Sequence, residues 1–248
     1  MIKVTSKVLD RPPCYLNLLP YTVWDNEVDA VIREAKRQNS LTNMQEINKI
    51  AAVEEMKATQ IYGAVFGRVF IPKAGVNPKQ VKNKADALAV RYHGMWNQSC
   101  QIQMSQLATI KDYGLLSLRV VTTVGVNFIV DGFQGTKNIS NLRYHGIGTG
   151  GTAEAIGDTA LVTELTTQLS TASTRATGTL AEGASANIYR TVGANVVNTS
   201  VTVTEHGIFD QAATGGGSLL DRSLFAGIGL VNGNTLQTTY ELTLAGGG

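Results

Sequence analysis

The chain predicts an α+β protein: an N-terminal extended arm and helices, followed by an antiparallel β-sandwich. Three observations carry that prediction. Residues 201–244, VTVTEHGIFDQAATGGGSLLDRSLFAGIGLVNGNTLQTTYELTL, fall into short alternating runs cut apart by glycine and asparagine, the pattern of half-buried antiparallel strands. At Asp112-Tyr113-Gly114 the chain turns from charged and helix-forming to glycine- and threonine-rich. Ahead of that break, apolar residues recur at helical spacing behind capping residues.

Three of the five prolines, Pro12, Pro13 and Pro20, lie in residues 1–22, which therefore read as an extended arm. Residues 23–112 read as mainly helical. Asp25 or Asn26 can cap a helix with Val28, Val31, Ile32 and Ala35 on one face. Thr42 and Gln45 have capping-box spacing, and Met44, Ile47, Ile50 and Ala51 follow on one side as far as about Gln60. Gly63 and Gly67 interrupt the β-branched and aromatic stretch 61–71, and Pro72, Gly75 and Pro78 read as a loop. A third helical pattern runs from about Asn83 to Ile110 with Leu88, Tyr92, Met95 and Trp96, weakened by Gly94.

Residues 113–248 read as the sandwich. LLSLRVVTTVGVNFIVDGF from Leu115 gives two apolar runs, residues 189–203 give a pair around Gly193 and Asn198, and Leu219 to Phe225 gives another. Val231-Asn232-Gly233-Asn234 supplies a tight turn. Leu236, Thr238, Tyr240, Leu242 and Leu244 then alternate with mostly polar neighbours, for seven to nine short strands in all.

Composition narrows the function classes. Only 16% of the 248 residues are charged, and 26 are glycine; so little surface charge leans towards assembly against partners. Residues 1–110 hold 14 Lys/Arg against 9 Asp/Glu, and the remainder 7 against 10. Lys73, Lys79, Lys82, Lys84 and Arg91 have no aromatic between them, so they read as a solvated or partner-facing patch, and nucleic acid is not the expected partner. Cys14 and Cys100 lack metal-site spacing and read as two thiols. No apolar run reaches membrane-spanning length and no leader is evident, which points to synthesis in a cytoplasm.

The residues that could carry chemistry do not assemble into a site. His93, His145 and His206 each precede a glycine and lie far apart; the expectation is a ring packed at the end of an element, bonded to backbone, and no metal. Gly146-Ile147-Gly148-Thr149-Gly150-Gly151 resembles a phosphate loop but lacks the Gly-Lys-Ser/Thr ending and a clean helix after it, so close backbone packing is expected. No serine sits in a GxSxG elbow, the Glu205-His206 side chains would diverge on a strand, and Glu54-Glu55 fall on a helix where charge is solvated. The chain thus predicts no catalytic, cofactor-binding or metal residues, and no enzyme.

Several elements in order resemble a group of tailed-bacteriophage virion structural proteins: VVTTVGVNFIVDGFQG (120–135), YHGIGTGGTAEAIGDTALVTEL (144–165), TRATGT (174–179), VTEHGIFD (203–210), LLDRSLF (219–225) and NGNTLQTTYELTL (232–244). The resemblance covers most of residues 115–244 and implies a β-rich module of head or tail proteins with no catalytic residues. It implies a virion location, with a capsid decoration or cement protein on the major capsid protein lattice as the first expectation. A neck, tail or baseplate component is the alternative. Lattice-neighbour or homo-oligomeric contacts would add attachment strength copy by copy. A carbohydrate-binding sandwich is a further alternative, disfavoured because the only tryptophans, Trp24 and Trp96, fall in the helical part.

Overall fold

The inner strands Ile188–Val196, Val201–Phe209 and Thr235–Leu244 are buried on both faces over most of their length, and that sets the architecture. The computed structural model describes residues 61–244, within which Gly63–Thr243 form one compact unit. The arm, the two helices expected before Gln60, Cys14, Trp24 and Glu54-Glu55 lie outside the described residues. Those described contain nine strands and three α-helices: β1 Ile61–Pro72, α1 Pro78–Arg91, α2 Gln98–Ser105, β2 Ala108–Val120, α3 Thr123–Phe133, β3 Tyr144–Gly148, β4 Ala176–Thr177, β5 Thr179–Glu182, β6 Ile188–Val196, β7 Val201–Phe209, β8 Leu219–Leu230 and β9 Thr235–Leu244. The α+β class and the two-sheet sandwich are as expected. One sheet runs in the order β2-β1-β9-β6-β5 and the other β4-β3-β7-β8; we call them sheet A and sheet B.

Four layers result. α1 and α2 cover the outer face of sheet A, where Phe70 of β1 and Ala194 of β6 pack with Val81, Ala85 and Leu88 of α1 and Cys100 and Met104 of α2. Between the sheets lie Val69, Leu236, Ile147, Val203, Ile228 and Leu230. Segment 149–175, almost without regular structure, covers the outer face of sheet B, with Leu161 on Phe209 and Leu219.

The predicted division at residue 112 is not a boundary. β2 runs straight through it, and β1 is an inner strand of sheet A beside β9. The helices α1 and α2 are therefore a cover on the sandwich and share its core. Pro78, read as loop, is the first residue of α1, where its missing N–H costs nothing. Asn77 accepts from Lys79 N at 2.9 Å, and the Gln80 side chain returns to Asn77 N, closing a capping box. The helix does not continue to Ile110, because His93 and Gly94 take φ of 51° and 71°. Two successive left-handed residues end a helix.

The second apolar run after Leu115 is helix α3, not a strand. VGVNFIVDGF fits both periods, as short apolar runs do, and local chemistry decides: Thr122 Oγ1 accepts from Gly125 N at 3.0 Å and donates to Leu219 O. Gly125 then lies against the Leu220 backbone, where a Cβ would come within 2.5 Å of its carbonyl oxygen. Gly193 sits inside β6, and the turn falls at 197–200. Likewise β8 continues through the GIG that seemed to end it.

The Val231–Asn234 turn forms as predicted, closed by Asn234 N to Val231 O at 2.9 Å with Gly233 at φ 87°. It carries the chain from sheet B to sheet A, joining strands that do not pair. Its register partner is the β6–β7 turn, through Gly233 N to Val197 O at 2.8 Å and Val197 N to Asn234 O at 3.0 Å. The polar residues of β9 are buried as well: Gln237 and Thr239 face the helix layer while Thr238 and Tyr240 face sheet B.

Candidate functional site

Three places gather side chains that could do chemistry or recognition: the polar half of the inter-sheet core, the anchors of segment 149–175, and a cleft on the outer face of sheet A. The first two are closed. Only the cleft meets solvent.

Between the sheets, His145 of β3 and His206 of β7 lie on the same face, their registers one step apart (His145 opposite Ile208, Ile147 opposite His206). Both are fully buried; His206 lies inside β7, whereas His145 is the second residue of β3, and both rings meet side chains where backbone partners were expected. His145 Nδ1 is 3.1 Å from His206 Nε2 and 2.9 Å from Thr238 Oγ1, and His145 Nε2 is 3.2 Å from Thr191 Oγ1. One protonation pattern satisfies these contacts. With the proton on Nε2 of each ring, His145 donates to Thr191, and its single Nδ1 lone pair is shared between the His206 Nε2–H and the Thr238 hydroxyl. His206 Nδ1, which has no hydrogen-bond partner, is then a bare acceptor rather than a stranded donor. Burial holds both rings neutral, pulling His206 down to about 3 and His145 well below its usual value, with the neighbouring His206 adding to the latter. Gly193 makes room, since a Cβ there would strike the His145 ring at 2.5 Å. His93 remains exposed at the end of α1.

On the outer face of sheet B, Glu205 is the receptor for an irregular chain. Its carboxylate accepts from Gly150 N at 2.9 Å, Thr163 N at 2.8 Å, Val162 N at 3.1 Å and Arg222 Nε at 2.9 Å. Arg222 continues to Asp158 Oδ2 at 3.0 Å and Thr152 O at 2.8 Å. Burial alone would weaken its hold on a proton, but Glu205 and Asp158 outweigh that and raise it. Arg175 grips Glu164 through Nε at 2.5 Å and Nη2 at 2.9 Å, reaches the Gln211 and Gly216 carbonyls, and lies 3.4 Å over the Phe209 ring. The glycine-rich 146–151 segment does point a backbone donor at an anion, and the anion is Glu205. Close packing was the expectation, and a Cβ at Gly148 or Gly150 would come within 2.5 Å of Glu205 Oε1.

The cleft has a volume of about 350 Å³. Its floor is the outer face of sheet A, with Phe66 and Arg68 of β1, Arg190 of β6, and Thr239 and Glu241 of β9; its wall is the 94–97 turn with Trp96. Arg68 Nε bonds Asp112 Oδ2 at 2.9 Å, and its guanidinium lies 4.8 Å over the Trp96 ring. Arg190 Nε donates to Glu241 Oε1 at 2.7 Å. Nothing in the sequence placed Trp96 here; the signal was the Phe66-Gly67-Arg68 alternation in a stretch read only as glycine-interrupted.

The basic residues singled out earlier are solvated on and around α1, with Lys82 on Asp86 at 2.6 Å and Lys84 on Gln103 at 2.8 Å. Cys100 is a buried free thiol. Among the described residues no three His, Cys, Asp or Glu side chains group to hold a metal, and no helix is long and apolar enough to cross a membrane.

One further surface stands out. α3 buries Gly125, Phe128 and Ile129 and leaves Val126, Val130 and Phe133 in a stripe at helical spacing, with Phe133 77% exposed. Ile156, whose carbonyl accepts from Thr123 N at 2.8 Å, extends the apolar surface at the N-terminal end of the helix.

The chain matches no family model, no curated protein and no solved structure.

Proposed function

We propose that the protein is a structural component of a tailed-phage virion, a capsid decoration protein that binds the lattice of the major capsid protein and performs no catalysis. The exposed apolar stripe of α3 carries the reading. A partner that covered Val126, Val130 and Phe133 would remove from water three side chains that the fold leaves exposed, and large exposed apolar residues in a contiguous patch mark interaction surfaces. The body behind the stripe suits the role. Its buried charges are tied to one another and to backbone, so a contact patch on α3 is carried by a stiff sandwich. The ordered motif resemblance over residues 115–244 supports the virion class.

Two measurements test this. Mass spectrometry of purified virions should find hundreds of copies per particle if the protein coats a symmetric lattice; about a dozen or fewer would move it to the neck, tail or baseplate. The full chain added to capsids lacking it should bind and raise their stability. Phe133→Ser should abolish that binding while shifting the isolated protein's stability by less than about 0.5 kcal/mol. Unchanged attachment by the variant would remove α3 as the contact.

A further inference from the structure

We propose that the cleft between the 94–97 turn and the outer face of sheet A binds a neutral saccharide. The volume of about 350 Å³ sits at the lower end of the range for ligand sites, about 300–1,000 Å³, and fits a mono- or disaccharide. What the walls offer decides the class of ligand. Arg68 and Arg190 bring two positive charges, and Asp112 and Glu241 answer with two negative ones, each pair bonded at 2.9 Å or less. The site therefore has no excess charge with which to select an anion or a cation.

Polar capacity remains after those pairs are made. Arg68 uses only Nε, so among the described residues its two terminal nitrogens have no partner and present a planar donor fork. Glu241 receives both Arg190 Nε and Arg190 Nη2 on Oε1, at 2.7 and 2.6 Å, which leaves Oε2 to accept. A fork of fixed donors beside a fixed carboxylate acceptor matches vicinal hydroxyl groups, each of which must donate once and can accept.

The apolar part of the wall argues against a flat ligand. The guanidinium of Arg68 already lies over the Trp96 ring and Phe70 flanks it at 5.6 Å. What is left is a curved patch of the Trp96 rim, Phe66 and Met95, the last 54% exposed. The puckered C–H surface of a sugar ring suits such a patch better than a stacked base does. The cleft is also set before any ligand arrives, which lowers the ordering cost of binding. Gly94 at φ 71° lies so close to the Arg190 stem that a Cβ would approach Arg190 Cδ to 2.8 Å, and the ion pairs fix the floor.

The test uses the soluble full chain, a panel of neutral disaccharides (maltose, cellobiose, lactose and N,N′-diacetylchitobiose), and inorganic phosphate and glucose 6-phosphate as charged probes. Calorimetry and amide NMR should show saturable binding of at least one neutral sugar with a Kd on the order of 1 mM, with shifts at the Trp96 indole. Glu241→Gln should weaken it about tenfold by removing a charged acceptor; if that variant fails to fold, Thr239→Val at the same floor takes its place. Phe133→Ser should bind as the parent does. Absence of saturable binding across the neutral panel, or preference for the phosphorylated probes, would overturn the proposal. Neither result depends on particle attachment, because α3 packs on β8 of sheet B and the cleft opens on sheet A.

Discussion

The two sheets of this sandwich are covered in opposite ways. Sheet A lies under α1 and α2, which satisfy their own backbone hydrogen bonds and therefore need only apolar contact, supplied by Val81, Ala85, Leu88 and Met104 on Phe70 and Ala194. Sheet B lies under segment 149–175, which has no helix and only isolated β-bridges to absorb its N–H groups. A buried N–H without a partner is costly, so the sheet must supply acceptors. Glu205 does so three times, Arg222 of β8 donates to the carbonyl of Thr152, and Arg175 of the segment itself reaches the carbonyls of Gln211 and Gly216 in the β7–β8 loop. A chain with little charge thus spends its C-terminal charges inside, where irregular backbone needs them.

The largest effect expected from breaking this contrast is at Glu205. Glu205→Ala leaves three backbone donors and Arg222 Nε without an acceptor, while Arg222 keeps Asp158 and the Thr152 carbonyl. Removing one partner of a buried ion pair costs about 3–5 kcal/mol, and the surviving Asp158 contact moves the expectation to the lower end. Urea unfolding should show that loss, with segment 149–175 becoming the first site of protease cleavage. A loss below about 1 kcal/mol would mean the cover is held by Leu161 on Phe209 and Leu219 instead.

The matching test on the other face is Leu88→Ala in α1. Deleting a buried leucine costs about 2–5 kcal/mol, and the helix-forming preference of alanine moves the expectation towards the lower end. The distinction lies in salt and proton dependence. Leu88→Ala should lower the urea midpoint equally at low and high ionic strength, whereas Glu205→Ala changes the net charge of the Glu205–Arg222–Asp158 cluster and its penalty should change with salt. Equal salt responses would remove the difference drawn between the two covers.

The sequence disclosed the first cover only in part and the second hardly at all. Alternation in residues 201–244 revealed real strands, because half of each strand's residues had to be apolar whichever sheet it joined. It did not reveal that the polar half is also buried, since Gln237 and Thr239 look the same under a helix layer as under water. The helices were visible as apolar spacing, but Pro78 read as loop until the Asn77 cap was in place. Glu205 and Arg222 carried no signal: they are 17 residues apart on adjacent strands, and the pairing of β7 with β8 includes register shifts that sequence spacing does not encode. Trp96 and Arg68 are in the same position, joined only by the fold of the 94–97 turn over sheet A. The histidines were noticed, but their pairing depends on β3 and β7 being neighbours, which nothing local announces.

The interior between the covers offers the smallest of these perturbations, and it is read with pH. His206 titrates near 3 in the folded protein and His145 well below its ordinary value, whereas both would titrate near 6.5 in the unfolded chain. Below pH 6.5 the unfolded state therefore binds more protons than the folded one, so stability present above that pH is lost as it falls. Each ring contributes about 1.4 kcal/mol per pH unit in the window below pH 6.5, which for His206 ends near pH 3. Urea midpoints at pH 7, 6 and 5 should fall progressively, and His206→Gln should shallow the slope by roughly one group's share. An amide keeps a donor for His145 Nδ1 and cannot take up a proton. If the midpoint were flat to pH 5, protons would be reaching the rings in the folded state, and the polar core between the sheets would have to open to solvent there.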